Sequence, residues 1–174
     1  MPYCSTCSIC GLPLVTGVTV GRPVPCNHTF HFGCLDSWSR VHAVNGECKC
    51  PEETCFMRYK CMVAITTGIG SNVEEFYPIE INYLCPLCNE VVIGEVVSPN
   101  LCEHYFCIEC ITKVGFSSPT CPIDGIPFDV IQVSPCVGAP PTKSVHIQAL
   151  AAGYCSDLLG KLTINADKHD NSGC

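Results

Sequence analysis

Two short runs rich in β-branched residues occur along the chain, and each contains glycine. The first covers residues 15–24, with Gly17 and Gly21, and the second covers residues 91–97, with Gly94. Runs of this kind bounded by turn residues are typical of short β-hairpins. The hydrophobic pattern therefore predicts one hairpin in each half of the chain.

Each run is followed by a segment whose apolar residues have helical spacing. Residues 32–44 place Leu35 and Trp38 on one face, and residues 108–116 have similar spacing. Residues 128–133 then predict a closing strand. The chain is therefore predicted to be a small α+β protein with two ββα modules.

The pattern of hydrophobic and polar residues is less regular between the two modules and after the second one. Residues 61–84 mix Thr, Gly and Ser with an aromatic patch, so we expect a linker that forms a strand or packing arm. Residues 144–162 have helical spacing interrupted by Gly153, and the final residues are polar and predicted to be disordered. The predicted organisation is a first module at 1–60, a linker at 61–84, a second module at 85–134 and a tail at 135–174.

Composition narrows the functional classes. The 174-residue chain has 9 Lys and Arg against 16 Asp and Glu, and this acidic balance argues against nucleic-acid binding through a basic surface. No uninterrupted apolar run reaches the roughly 18 residues of a membrane span. Pro13 and Gly17 break the N-terminal apolar segment, so no secretory signal is expected. We expect an intracellular protein, cytoplasmic or nuclear, with no nucleic-acid or membrane partner.

Cysteine is the most informative residue type, since 18 of the 174 positions carry it. The cysteines stand at short spacings and are interleaved with histidines, whereas a secreted disulfide scaffold is usually shorter and follows a signal peptide. Thiols in a reducing compartment persist when a metal holds them. Zinc is therefore the expected cofactor, and a disulfide framework is the alternative.

Two blocks of the chain each offer eight potential ligands in the same order and with nearly the same gaps, an internal duplication. Zn²⁺ takes four tetrahedral ligands, and a C-x2-C turn places two sulfurs on one ion. Four pairs can be filled sequentially or alternately. The long gap after the first pair and the tight central cluster favour the alternate scheme, in which the first pair shares an ion with the third. The blocks are Cys7, Cys10, Cys26, His28, His31, Cys34, Cys50 and Cys55, then Cys85, Cys88, Cys102, His104, Cys107, Cys110, Cys121 and Asp124.

Both blocks resemble RING fingers, the cross-braced two-zinc modules of ubiquitin ligases, over roughly residues 4–58 and 85–131. The resemblance implies four zinc ions in the chain, two in each block, and a first block of the RING-H2 type. The implied ligands are Cys7, Cys10, His31 and Cys34 for one ion of the first block, and Cys26, His28, Cys50 and Cys55 for the other.

The ends of the first block are less regular than the family pattern. Cys4 and Cys7 have the same spacing as Cys7 and Cys10, so they are an alternative first pair of ligands. Cys48 is likewise an alternative ligand to Cys50. The string Cys-Ser-Ile-Cys favours Cys10, and the proline after Cys50 favours that residue. The closing pair has four residues between its ligands where the family usually has two. Three further cysteines are alternative ligands of an additional ion: Cys4, Cys48 and Cys61.

The second block ends on an aspartate, whose carboxylate oxygen is an acceptable zinc ligand. The string Cys-Pro-Ile-Asp-Gly-Ile-Pro-Phe resembles the ending of RING fingers in PHD-and-RING-finger and SCAF-like proteins. The alternative is a three-ligand site in which Asp124 is only a turn residue. The implied sets are Cys85, Cys88, Cys107 and Cys110, then Cys102, His104, Cys121 and Asp124.

Closed structural zinc sites scaffold a surface and do not activate water. In RING ligases that surface is a shallow groove for an E2 ubiquitin-conjugating enzyme, and the ligase holds the E2~ubiquitin conjugate in a reactive orientation. The resemblance implies E2, ubiquitin and an unidentified protein substrate as partners, no catalytic residue in the chain itself, and leaves dimerisation open. The implied E2-binding residues are Ile9, Trp38 and Pro51 in the first block, and Leu87, Val114 and Pro122 in the second.

One departure from the family weakens the ligase interpretation. Many RING fingers have a cationic residue directly after the eighth ligand, whereas this chain has Phe56 and Gly125 there, with Arg58 displaced. A non-enzymatic zinc adaptor that binds partners or dimerises is therefore the main alternative. The ligand order is not that of a PHD-type reader, and the segment before the second block is too poor in cysteine for a RING-between-RING ligase.

Overall fold

A computed structural model describes residues 5–68 and 70–148 of the chain. The elements β1 to β6 and α1 form the N-terminal module, and β7 to β9 with α2 form the C-terminal module. Their bounds are β1 Val20–Val24, β2 Phe30–His31, α1 Phe32–His42, β3 Cys48–Lys49, β4 Arg58–Tyr59, β5 Cys61–Thr67, β6 Asn72–Pro78, β7 Val96–Pro99, α2 Ile108–Ser117, β8 Val130–Ser134 and β9 Lys143–His146.

The N-terminal module is a four-stranded antiparallel sheet of order β2-β1-β5-β6, with a separate β3-β4 pair, and α1 follows β2 directly. Strand β1 pairs with β5 over its whole length, from Val20 opposite Ile65 to Val24 opposite Cys61. Residues 15–24 therefore do not form the predicted hairpin. Gly21 lies inside β1, where a Cβ would be 3.1 Å from the backbone of Phe32, so the glycine permits close approach of α1.

The C-terminal module repeats the plan on a smaller scale, with a sheet of order β7-β8-β9 and the helix α2. The predicted hairpin over residues 91–97 is also absent, because β7 pairs with β8, which lies beyond α2 in the sequence. The helices and the closing strand lie where the pattern predicts them, and the α+β class is confirmed.

Residues 61–84, expected to be a linker, contribute β5 and β6 to the N-terminal sheet. Residues 144–146, expected to start a helix, belong to the edge strand β9. The remainder of that predicted helix, from residue 149 onward, and the polar end of the tail lie outside the described residues. No helix in residues 5–68 and 70–148 has the length and hydropathy needed to cross a membrane.

Each module has its own small core, and a third cluster joins them. Leu35, Phe30 and Tyr59 are buried in the N-terminal module, and Phe106 and Ile111 are buried in the C-terminal one. The junction between the modules consists of Cys61 from β5 with Cys136 and Ala139 from the segment after β8, covered by Val24 and Phe76. We call this third cluster the junction.

Candidate metal centres

The sixteen side chains singled out from the sequence lie in four clusters. Within each cluster one donor atom from every residue lies within 4.8 Å of the others. Each cluster combines the first and third, or the second and fourth, pairs of its block, which is the alternate arrangement. The clusters are Cys7, Cys10, His31 and Cys34; Cys26, His28, Cys50 and Cys55; Cys85, Cys88, Cys107 and Cys110; and Cys102, His104, Cys121 and Asp124.

The spacing of these atoms fits a tetrahedral zinc ion. Two sulfurs about 2.3 Å from zinc at the corners of a tetrahedron lie about 3.8 Å apart, and a sulfur and an imidazole nitrogen about 3.5 Å apart. The sulfurs of Cys26 and Cys50 are 3.6 Å apart, and those of Cys88 and Cys107 are 3.9 Å apart. The Cys10 sulfur lies 3.3 Å from Nδ1 of His31.

Three of the cysteine turns have the same backbone construction. In each, the cysteine N–H donates to the carbonyl five residues later, and the residue four positions later donates back to the cysteine carbonyl, at 2.8–2.9 Å. The turn requires a positive φ at that fourth position, which glycine and asparagine tolerate best. The turns begin at Cys7, Cys85 and Cys121 and place Gly11, Asn89 and Gly125 in this conformation.

The closing turn of the N-terminal module is wider. The Cys50 N–H donates to the carbonyl of Met57, seven residues later, and the Cys55 N–H donates to that of Glu52. The larger loop accommodates the four residues between Cys50 and Cys55 while both sulfurs stay in one cluster. The unusual four-residue spacing therefore lengthens the loop between Cys50 and Cys55 without moving either sulfur out of the cluster.

The turns also favour the thiolate form of the first cysteine in each block. Burial raises the pKa of Cys7, but N–H groups of Cys10, His31 and Ile9 outweigh it and lower the pKa to about 7. The pKa of Cys85 falls to about 7 through the same opposition of burial and backbone N–H groups. These two sulfurs are prepared to act as anionic donors.

Three other cluster thiols resist deprotonation without a cation. Burial, followed by the neighbouring cysteines, raises the pKa of Cys34 to about 11 and that of Cys102 to about 11. For Cys50 burial and the neighbouring sulfurs raise the pKa to about 12. A dication removes this penalty because it compensates several thiolates at once. The donor chemistry of the clusters therefore fits zinc.

The fourth cluster contains a carboxylate in ligand position. Oδ2 of Asp124 lies 3.0 Å from Nδ1 of His104, and Oδ1 accepts the Ile126 N–H at 3.0 Å. That backbone bond is the largest reason that the pKa of Asp124 is lowered. Asp124 is thus a turn residue and also a neighbour of the other three donors.

Several cysteines lie outside the four clusters. Cys48 is buried with its sulfur against the Lys49 carbonyl, and Cys61 contacts Cys136 across the junction. Cys61 and Cys48 therefore do not share a cluster in the described residues. Cys4, Cys155 and Cys174 lie outside the described part of the chain. The cysteines of the described ranges are all free thiols, in contrast to the disulfide alternative.

The residues expected to bind an E2 differ in exposure between the modules. In the N-terminal module Ile9, Trp38 and Pro51 are half-buried, and the Trp38 indole N–H donates to the Lys49 carbonyl at 3.3 Å, which ties α1 to the closing turn. In the C-terminal module Leu87 and Pro122 are exposed. Val114 is half-buried on α2 against the core.

The sequence did not reveal the Cys61–Cys136 contact. The two residues are 75 positions apart, and neither belongs to a short-spaced motif. They meet because the segment after β8 packs against the start of β5, where Gly138 lies beside Lys60 and Cys61. A pair formed in this way leaves no signal in the spacing of the cysteines.

Comparisons with known proteins agree with the two blocks of metal donors. Residues 7–52 and 85–123 both match the family "Zinc finger, C3HC4 type (RING finger)". The chain is 30% identical to human E3 ubiquitin-protein ligase RNF166 over 100 residues, which are 55% of the chain and 38% of that protein. It is 34% identical to mouse E3 ubiquitin-protein ligase NRDP1 over 68 residues, 38% of the chain and 21% of that protein.

A third relative is human Protein SCAF11, 42% identical over 48 residues, which are 27% of the chain and 3% of that protein. The chain thus spans well under half the length of each of these relatives. No solved structure matches it significantly. Two family matches, each coinciding with a block of eight crossed donors, show that the chain carries two RING-finger segments in tandem.

Proposed function

We propose that this chain is a RING-type E3 ubiquitin ligase, or a ligase subunit, that binds an E2~ubiquitin conjugate and promotes ubiquitin transfer to a protein substrate. The observation that carries the proposal is the crossed arrangement of donors in both RING segments. This arrangement places the first and last turns of each module beside its helix, and these are the three parts from which RING fingers build an E2 surface. Two relatives named as E3 ubiquitin-protein ligases support the same function.

Each of the four clusters is proposed to hold one Zn²⁺, giving four ions. All four positions of each ion are then occupied by the protein, so zinc has a structural role. The ions support folding because a small module buries too little apolar surface to be stable alone. The chain contributes no nucleophile or general base of its own to ubiquitin transfer.

The chain is proposed to act by orientation, through a shallow apolar surface on one or both modules. On the N-terminal module this surface would consist of Ile9, Trp38 and Pro51, with Trp38 as the aromatic anchor because it is held by its bond to Lys49. On the C-terminal module it would consist of Leu87, Val114 and Pro122, flanked by Ile123, which is 50% exposed.

A second function, that of a zinc adaptor without ligase activity, is favoured by one observation. Phe56 follows the last donor of the N-terminal module and is 81% exposed, with Lys49 Nζ 5.0 Å from its ring centroid. Arg58 is displaced by two residues and pairs with Glu47 at 4.0 Å. Gly125 takes the corresponding position in the C-terminal module. Neither module therefore has a cationic side chain in that position of the sequence.

Autoubiquitination with a panel of E2 enzymes separates the two functions. Ile9→Ala and Leu87→Ala test the two modules, and Leu12→Ala and Leu101→Ala are matched controls because these leucines are exposed, at 61% and 63%, and lie outside the proposed surfaces. We expect ubiquitin chains that are lost with one test variant and retained with both controls. Native mass spectrometry of every variant should show four zinc ions.

Two outcomes would contradict these proposals. A protein with four zinc ions that neither transfers ubiquitin nor binds any E2 by isothermal titration calorimetry would be an adaptor. A zinc count below four would instead contradict the ligand assignment, and the wide Cys50–Cys55 turn and the Asp124 cluster are then the first positions to examine by substitution.

A further inference from the structure

The junction contains a pair of cysteine thiols outside the four metal clusters. The sulfur of Cys61, on β5, lies 3.5 Å from that of Cys136, in the turn after β8. The two atoms are in van der Waals contact, and the two residues come from different modules. We propose that Cys61 and Cys136 form a redox site, in which a hydroperoxide converts the two thiols into a disulfide that links the RING modules covalently.

Access to the pair is unequal. Cys61 is fully buried, whereas Cys136 is 8% exposed. Cys136 also lines a cleft of about 370 Å³ between the modules, together with Phe76, Tyr83 and Val96. A small oxidant therefore reaches Cys136 first, and the buried Cys61 is placed to act second.

The pKa values of the two thiols favour the same order of reaction as their access does. The hydrogen bond shared between the two sulfurs lowers the pKa of Cys136 and raises that of Cys61. The thiolate is the form that reacts with peroxides. Cys136 is thus both the more accessible and the more nucleophilic member of the pair.

The reaction consumes one hydroperoxide. The Cys136 thiolate attacks one peroxide oxygen and the O–O bond breaks, giving a sulfenic acid and, from hydrogen peroxide, hydroxide. The Cys61 sulfur then attacks the Cys136 sulfur, and the S–O bond breaks with loss of water. In total two thiols are oxidised to one disulfide, the peroxide is reduced, and two water molecules are formed. A cellular thiol can reverse the step by exchange.

The site is chemically separate from the metal clusters. Zinc-bound thiolates are shielded by their ion, and the sixteen cluster donors do not include either residue. Oxidation at the junction can therefore link the modules while the four clusters stay loaded. The proposal depends on the two-module packing and not on ligase activity, so its failure and the failure of the proposed function are distinguishable.

The test treats the full zinc-loaded chain with hydrogen peroxide, quenches with a thiol-alkylating reagent and maps disulfides without reduction. We expect a single Cys61–Cys136 linkage to form at least tenfold faster than zinc is lost in native mass spectrometry. Cys48→Ser is the matched control, because Cys48 is a buried cysteine outside the clusters, and it should form the linkage like the wild type. Cys61→Ser should instead stop at a Cys136 sulfenic acid, trapped by dimedone.

Mapping of the wild-type protein alone decides the proposal even if a variant fails to fold. Zinc release with oxidised cluster cysteines, while Cys61 and Cys136 remain alkylatable thiols, would overturn it. Equal dimedone labelling of Cys61 in Cys136→Ser and of Cys136 in Cys61→Ser would contradict the assigned order of attack.

Discussion

Replacing Gly138 with alanine tests how closely the two modules pack. Gly138 lies in the turn between β8 and β9 with a φ of +82°, and a Cβ built there would be 2.7 Å from Cβ of Lys60 and 3.2 Å from the backbone nitrogen of Cys61. These are atoms at or beside the start of β5, which is held by β1 and β6 and cannot move aside like the end of a flexible side chain. The methyl group would therefore push the modules apart.

Two contributions make up the expected loss in the free energy of unfolding of Gly138→Ala. A positive φ costs a residue with a side chain about 1–2 kcal/mol relative to glycine. Forcing an extra methyl group into a packed contact adds about 1–3 kcal/mol. Gly94 has the same φ of +82° but nothing within 4 Å of its Cβ position, so Gly94→Ala should show only the first contribution. Because the packing contribution is then the only difference, we expect Gly138→Ala to lower the free energy of unfolding by about 2 kcal/mol more than Gly94→Ala.

Thermal unfolding of the zinc-loaded variants measures the difference. For a chain of this size about 2 kcal/mol corresponds to a Tm difference of roughly 4–8 °C. Native mass spectrometry must show the same zinc count in both variants, so that loss of metal does not enter the comparison. Equal Tm values for the two variants would refute the packing of residue 138 against β5, and with it the contact between the modules.

Two further predictions concern the modules individually. Tyr59→Phe removes a hydroxyl that donates to Ser39 at 2.8 Å in the N-terminal core, while Ser39 keeps its bond to the Leu35 carbonyl. We expect a loss of about 1 kcal/mol in the free energy of unfolding, measured by urea denaturation, and an unchanged stability would show that the buried bond contributes nothing. Asp124→Asn replaces an anionic oxygen donor by a neutral amide, so native mass spectrometry should show three zinc ions in place of four. Asp129→Asn, in the same module and outside the clusters, should retain four, and full occupancy in Asp124→Asn would exclude the carboxylate as a required ligand.

The sequence predicts the parts of this fold that depend on short-range spacing. The turns beginning at Cys7, Cys85 and Cys121 need only a few residues, and their glycine or asparagine at positive φ is visible in the sequence. The helices are recognisable because each turn of a helix repeats the apolar spacing within a short segment. Residue types and local spacing were therefore sufficient for these elements.

The predicted hairpins are wrong for a physical reason. A strand is stabilised by its partners, and these can lie outside the run that contains it: β1 pairs with β2 and, across the whole of α1, with β5, and β7 pairs with β8 across the whole of α2. The glycines at 17 and 94 do lie at positive φ, but they end loops that lead into strands and do not reverse a hairpin. The junction is assembled by packing between the two modules, which brings together residues 75 positions apart, and local spacing cannot predict it.

Some of the cysteines in the metal clusters are also core residues, so metal binding and core packing depend on each other in this protein. Cys7, Cys50 and Cys55 are among the buried residues of the N-terminal core, so removing an ion leaves thiols inside the core in place of a cross-link. Polar donors buried without the ion that they coordinate are costly, and metal loss should therefore destabilise the surrounding core. Loss of E2 binding in a variant is consequently informative only when its zinc count is unchanged. The Cys61–Cys136 pair differs in this respect, because within the described residues it lies outside the metal clusters and can change its covalent state without removing a metal ligand.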